Sequence, residues 1–319
     1  MLRKVVLIID KRKEQSIKYK KILENNDITV FLASDFARAL DIMNRFDPDL
    51  ILISDSMDFD TKKAIEQIRV LTYNTRPAVI ALSKSNHIQD KIDVLDAGAD
   101  DFLSEPINND EFKARITAHI RRNLENSLSE RTMLFDSKIS YKMIKRTVNS
   151  TSQWAIMLID IDNLQYYKNI YGELAADKLL QTYSAIIKSA VENNDYVGQL
   201  SNEDFIVITD NEKAEKIANY LVYAFDTVIS KFYNKSDMER GFVFMHGDDA
   251  AEDKVSLVTT SIGVITNQYK KYTDMKQVIS SLISTHKLAQ YNNSSNYVIE
   301  RPKITADNAV ETREKNNNI

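Results

Sequence analysis

The sequence predicts two mixed α/β domains, and two features of its apolar pattern predict them. Over residues 1–122, short apolar runs alternate with amphipathic stretches five times in succession. Strands that alternate with helices imply a parallel sheet covered on both faces. From residue 133 to 302 the pattern changes to strands and a hairpin mixed with helices, which reads as an α+β sheet domain. A length of 319 residues suits two domains.

In the first domain, Lys4 to Ile9 reads as a buried strand, and 14–24 as a helix through Ile17, Ile22 and Leu23. Strand 29–33, helix 36–46 and strand 50–53 follow. Helix 61–71 carries Ala64, Ile65 and Ile68 on one face, and strand 78–82, helix 88–97 and a short strand 101–103 come after it. From Asp110 to about Glu130 one continuous helix is expected, with Phe112, Ile116, Ile120, Leu124 and Leu128 four residues apart. Spacing of four drifts around a helix and holds no heptad seam. The helix, with its connector over 123–132, reads as a dimerising stalk between the two domains; the alternative is a helix packed on its own first domain.

In the second domain, Ala155 to Ile159 is a buried strand that runs into Asp160 and Asp162. A helix from about Glu173 to Val191 precedes a hairpin, Tyr196 to Leu200 with Asp204 to Ile208, turning at Ser201-Asn202. Helix 213–231, strand 255–265, helix 274–290 and strand 296–299 complete the domain. Segment 233–257, with Asp248, Asp249, Glu252 and Asp253, reads as an acidic solvated loop, and the polar tail 303–319 as disordered.

Composition excludes several function classes. A net charge of −4 argues against a general nucleic-acid binder. With no cysteine, neither a disulfide nor a thiolate metal site can form. No apolar run approaches the roughly 18 residues of a membrane span, and the N-terminal run is too short for a signal peptide, so a cytoplasmic protein is expected. Six glycines in the whole chain leave no Gly-rich phosphate loop, and His87, His119, His246 and His286 show no ligand spacing.

The stretches PDLILIS (48–54), VIALS (79–83) and AGADDFLSEPI (97–107) make the first domain resemble a response-regulator receiver, a flavodoxin-like (βα)5 fold. Receiver chemistry needs a carboxylate nucleophile, an acidic pair for Mg²⁺, a hydroxyl and a lysine. On this sequence those positions carry Ser54, Asp10-Lys11, Ser83 and Glu105. The resemblance therefore implies a degenerate pocket, with Lys11 placed where the metal would sit and paired to Glu105 or Asp10. Asp55 stands one residue beyond the acceptor position, and a one-residue slip along a strand turns a side chain to the other face.

The stretches AIMLIDIDNLQYYKNIYGELAADKLL and DYVGQLSNEDFIVIT make the second domain resemble a GGDEF domain, the diguanylate cyclase fold. The signature hairpin reads Ser201-Asn202-Glu203-Asp204-Phe205. The family's chemistry places two carboxylate-held metal ions on a nucleoside triphosphate and lets bare glycine backbone approach the nucleotide. The resemblance implies Asp160, Glu203 and Asp204 as candidate metal ligands for Mg²⁺. It implies Asp177 and Lys168 at the guanine-reading positions, the latter in place of asparagine, and Gln290 in place of a phosphate-touching lysine. The inhibitory-site motif reads Glu192-Asn193-Asn194-Asp195, without its arginine.

These departures lead to one expectation: a non-catalytic signalling protein, in two-component and cyclic di-GMP signalling, that acts through protein partners, with a homodimer as one option. The alternatives are a GTP sensor without turnover and an atypical active diguanylate cyclase.

Overall fold

A computed structural model of the chain describes residues 3–246 and 252–301. Two compact units result, one formed by residues up to 151 together with 176–207, the other by 152–175 together with residues from 208 onward. In chain order the receiver-like segment contains β1 (Lys4–Ile9), α1 (Lys13–Leu23), β2 (Ile28–Ala33), α2 (Phe36–Phe46), β3 (Leu50–Ser54), α3 (Thr61–Leu71), β4 (Ala78–Ser83), α4 (Ile88–Asp96), β5 (Asp101–Ser104) and α5 (Asn109–Glu125). Then come α6 (Ser137–Val148), β6 (Ala155–Asp162), α7 (Leu164–Tyr171), α8 (Glu173–Ala190), β7 (Tyr196–Gln199), β8 (Phe205–Thr209) and α9 (Asn211–Ile229). A 3₁₀ turn, α10 (Lys235–Arg240), β9 (Phe242–His246), β10 (Glu252–Ser256), β11 (Thr259–Thr266), α11 (Met275–Gln290) and β12 (Asn296–Ile299) complete the chain.

In the first unit, β2-β1-β3-β4-β5 form a sheet whose neighbours all run parallel. The central strands are continuous apolar runs because both faces are covered. Leu7, Ile9, Ile51 and Ile53 face one core with α2 and α3, where Ala39, Ile42, Ala64 and Ile68 are buried. Val6, Ile8, Leu50 and Leu52 face the other, with Tyr19 and Leu23 of α1 and Phe112, Ile116 and Ile120 of α5. The (βα)5 reading of the sequence is thus observed.

The stalk is corrected. The face formed by Phe112, Ile116 and Ile120 packs on the receiver's own core, and the helix ends at Glu125, not Glu130. Residues 126–136 instead turn back, with Leu128 bridging Phe135. The sequence reading also missed α6, which begins within DSKISYKM: it is capped by Asp136, whose side chain accepts from the Ile139 N–H.

In the second unit, β11 runs antiparallel to β6 and parallel to β12. Helix α11 lies close over β11 at Gly263, where a Cβ would come within 2.5 Å of the His286 backbone nitrogen. The sequence reading missed α7, whose eight residues bury only Leu164 and Tyr167. It also merged two strands over 255–265, where β10 ends at Ser256 and β11 begins at Thr259. The described residues of the expected loop over 233–257 are structured: α10 is followed by the antiparallel pair β9–β10. Asp248, Asp249 and the tail 303–319 lie outside the described residues. Among the described residues, no helix is long and apolar enough to cross a membrane.

Candidate functional site

The receiver's sequence-marked residues sit at the C-terminal ends of β1, β3, β4 and β5. Asp10 follows β1 and its side chain is fully shielded, while Glu105 follows β5 and is 6 % exposed. Lys11, expected between them, points outward instead and pairs with Asp58 at 2.5 Å. Arg12 takes the inward place. Its Nη2 donates to Asp10 Oδ2 at 2.9 Å and to Ser54 Oγ at 2.9 Å, and its Nη1 to Glu105 Oε2 at 2.5 Å. Its Nε reaches Asp10 Oδ1 at 3.1 Å. A planar guanidinium offers each of two carboxylates paired N–H donors in a fixed fork, a geometry an ammonium lacks.

Electrostatics follow the geometry. The hydrogen bond to Asp10, with help from Glu105, holds the Arg12 guanidinium above its ordinary pKa against the opposing effect of burial. Tyr19 donates to Glu105 at 2.6 Å, and burial together with that carboxylate pushes its hydroxyl upward. Ser56 Oγ donates to Asp10 at 2.7 Å. Asp55 turns away from this cluster, as the one-residue slip requires, and accepts from Ser83 Oγ at 2.5 Å and the Lys84 N–H at 3.1 Å. It lines a cavity of about 220 Å³ with Asp60, Lys62, Ser85 and Asp90. Ser54 and Ser83 therefore serve different partners. The pairing of Lys11 with Glu105 or Asp10 is corrected to Arg12, because the turn after β1 decides which of two adjacent basic residues faces in.

In the second unit, Asp160 and Asp162 are brought together by Gln290 of α11. Its amide nitrogen donates to Asp160 Oδ2 at 3.1 Å and to Asp162 Oδ1 at 3.0 Å. Asp162 also accepts from Ser261 Oγ at 2.6 Å and Thr259 Oγ1 at 3.0 Å. These partners follow from register, since β6 and β11 pair Asp160 with Ser261 and Asp162 with Thr259. Lys168 pairs with Glu173 at 2.9 Å.

In the first unit, Asp177 is held by Arg131 at 3.0 Å, a residue that the sequence reading did not single out. The hairpin turn is closed internally: Ser201 Oγ donates to Asp204 Oδ2 at 2.7 Å and accepts from the Asp204 and Glu203 N–H groups. Leu200 N–H donates to Asp204 O at 2.9 Å, and Phe205 is fully buried. Asn202 contributes its carbonyl to Gln199. Asp195 closes its own turn by accepting from the Glu192 N–H at 2.8 Å. The Gln290 amide N–H₂ thus occupies the space between the two carboxylates Asp160 and Asp162. Among the described residues, no group of three or more His, Cys, Asp or Glu is placed to hold a metal ion.

Comparison with known proteins agrees with this architecture. A family model for the response regulator receiver domain matches residues 6–117, and one for the diguanylate cyclase GGDEF domain matches residues 127–284. The transcriptional regulatory protein CpxR of Escherichia coli is 32% identical over 117 residues, covering 37% of this chain and 49% of CpxR. KdpE of the same organism, the KDP operon transcriptional regulatory protein, is 32% identical over 146 residues, covering 45% of this chain and 63% of KdpE. Against CpxR, then, the match spans about half of the relative's length. A solved structure of the GGDEF domain of DgcB from Caulobacter crescentus, in complex with c-di-GMP, is 13% identical, with a TM-score of 0.41, covering 54% of this chain and 95% of that one. The chain carries a response regulator receiver domain followed by a GGDEF domain.

Proposed function

We propose that this chain is a non-catalytic component of two-component and cyclic di-GMP signalling that acts by binding protein partners. The observation that carries the reading is the bridge from Gln290 Nε2 to both Asp160 and Asp162. Asp160 is the carboxylate at which the family's chemistry would begin, and the chain meets it with an amide donor of its own. Arg12 between Asp10 and Glu105, and Arg131 on Asp177, support the same reading. Asp10, Glu105, Asp160, Asp162 and Asp177 each have an internal donor that a metal ion or a guanine would have to displace. Catalysis by such a constellation depends on its parts acting together, so one lost part removes most of the rate.

The test is prolonged incubation of the full chain with GTP and Mg²⁺ or Mn²⁺, followed by chromatography. No cyclic di-GMP above the no-enzyme control is expected. Product that disappears in Asp160→Asn and Glu203→Gln would make the chain an active cyclase. Calorimetric titration with GTP separates a protein-binding module, which gives no heat of binding, from a nucleotide sensor.

A further inference from the structure

The opposite end of the receiver sheet, where β1 and β3 begin, holds a second charged cluster, of which only Asp49 falls in a quoted motif, PDLILIS. Asp49, just before β3, is 4 % exposed; Lys142 and Arg146 of α6 are 2 % and 10 % exposed. Asp49 Oδ2 accepts from the Val5 N–H at 2.8 Å and Arg146 Nη2 at 3.0 Å, and its Oδ1 from Lys142 Nζ at 3.4 Å.

One carboxylate faces two cations, and α2 supplies the remaining negative potential. A helix C-terminus presents unpaired carbonyls and a partial negative charge. Arg146 donates to Phe46 O at 2.8 Å and Asp47 O at 2.6 Å, and to Arg3 O at 3.1 Å. Asn149 donates to Arg45 O at 3.2 Å, and Lys145 pairs with Asp47 at 2.9 Å. Residues 142, 145, 146 and 149 share one helical face at spacings of three and four. Helix α6 therefore caps the end of α2 and neutralises Asp49 at the same time. Removing one partner while the helix stays packed would leave a shielded charge uncompensated.

We propose that the Asp49–Lys142–Arg146 cluster is an internal docking site that fixes α6 to the receiver as one rigid body. The receiver then serves as the holder of the first helix of the GGDEF segment, through α2 and β3. This end of the receiver is closed to external partners. The inference does not depend on whether the chain turns over GTP.

Because the chain has no cysteine, Arg45→Cys/Ser150→Cys introduces an isolated pair at two exposed positions whose side chains take no part in the docking contacts. With a short bis-maleimide, most of the full-length protein is expected to cross-link within one chain, read by intact mass. Adding Arg146→Met is expected to lower that yield at least fivefold. Little cross-linking in the parent pair, or a yield unchanged by Arg146→Met, overturns the proposal. Hydrogen exchange on the unmodified chain supplies an independent reading: α6 and β3 amides are expected to exchange within tenfold of each other. Exchange of α6 a hundredfold faster than β3 would show that the helix opens without the receiver and would also overturn it.

Discussion

Replacing Arg12 by Met removes the cation between two shielded carboxylates while keeping most of the aliphatic stem. The side chain makes five hydrogen bonds: two to Asp10, two to Glu105 and one to Ser54. Breaking a buried pair by deleting one partner costs about 3–5 kcal/mol, because the other charge stays buried and uncompensated. Here the lower end applies. Asp10 keeps Ser56 and the residue 12 N–H, and Glu105 keeps Tyr19 and Gln15. A loss of about 3 kcal/mol corresponds to roughly 150-fold faster exchange of the β1 and β3 amides. Hydrogen exchange read by mass spectrometry measures this directly. A double-mutant cycle with Glu105→Gln should return a coupling of about 0.5–3 kcal/mol, the range for residues in one network. Acceleration below about fivefold, or strictly additive substitutions, would refute the idea that Arg12 holds the pocket together.

Two further outcomes follow from other parts of the fold. Burial pushes the Asp49 carboxyl up, but Arg146, Lys142 and the Val5 amide outweigh it, so its pKa lies below the usual value. A depressed folded pKa contributes stability that is complete above about pH 4 and is lost as pH falls further. The stability gap between the parent chain and Asp49→Asn, measured by denaturant titration, should hold constant from pH 7 to 5 and narrow below pH 4; a gap that persists undiminished at pH 3 contradicts this. Gly263→Ala would push a methyl group against the His286 backbone at 2.5 Å, and overpacking of this kind costs about 1–3 kcal/mol. A lower thermal midpoint is expected, and an unchanged one would show that α11 can shift away from β11.

The fold was more legible in the sequence than the site. Buried strands such as Leu50–Ser54 and Ala78–Ser83 announce themselves as apolar runs, and the helices between them carry apolar residues at helical spacing. The fourfold ladder Phe112, Ile116, Ile120 was visible as well, but its partner was not. A helix that covers its own sheet and one that covers another chain have the same periodicity. The short α7 was hidden because it buries two side chains and has no cap hydrogen bond to mark its start.

Sequence alone determined which residue types stand at each receiver and GGDEF position: Ser54 and Glu105 in one, Ser201, Asn202 and Lys168 in the other. It determined the (βα)5 order too, since local periodicity sets element type and order. Tertiary structure decided the partners. Lys11 and Arg12 are adjacent and equally basic, yet the turn after β1 sends one to solvent and the other to Asp10 and Glu105. Gln290 reaches Asp160 across 130 positions, and Arg146 reaches Asp49 across 97. Such contacts join elements far apart in sequence, and no local pattern encodes them. Their strength comes from burial, which exists only once the elements have packed.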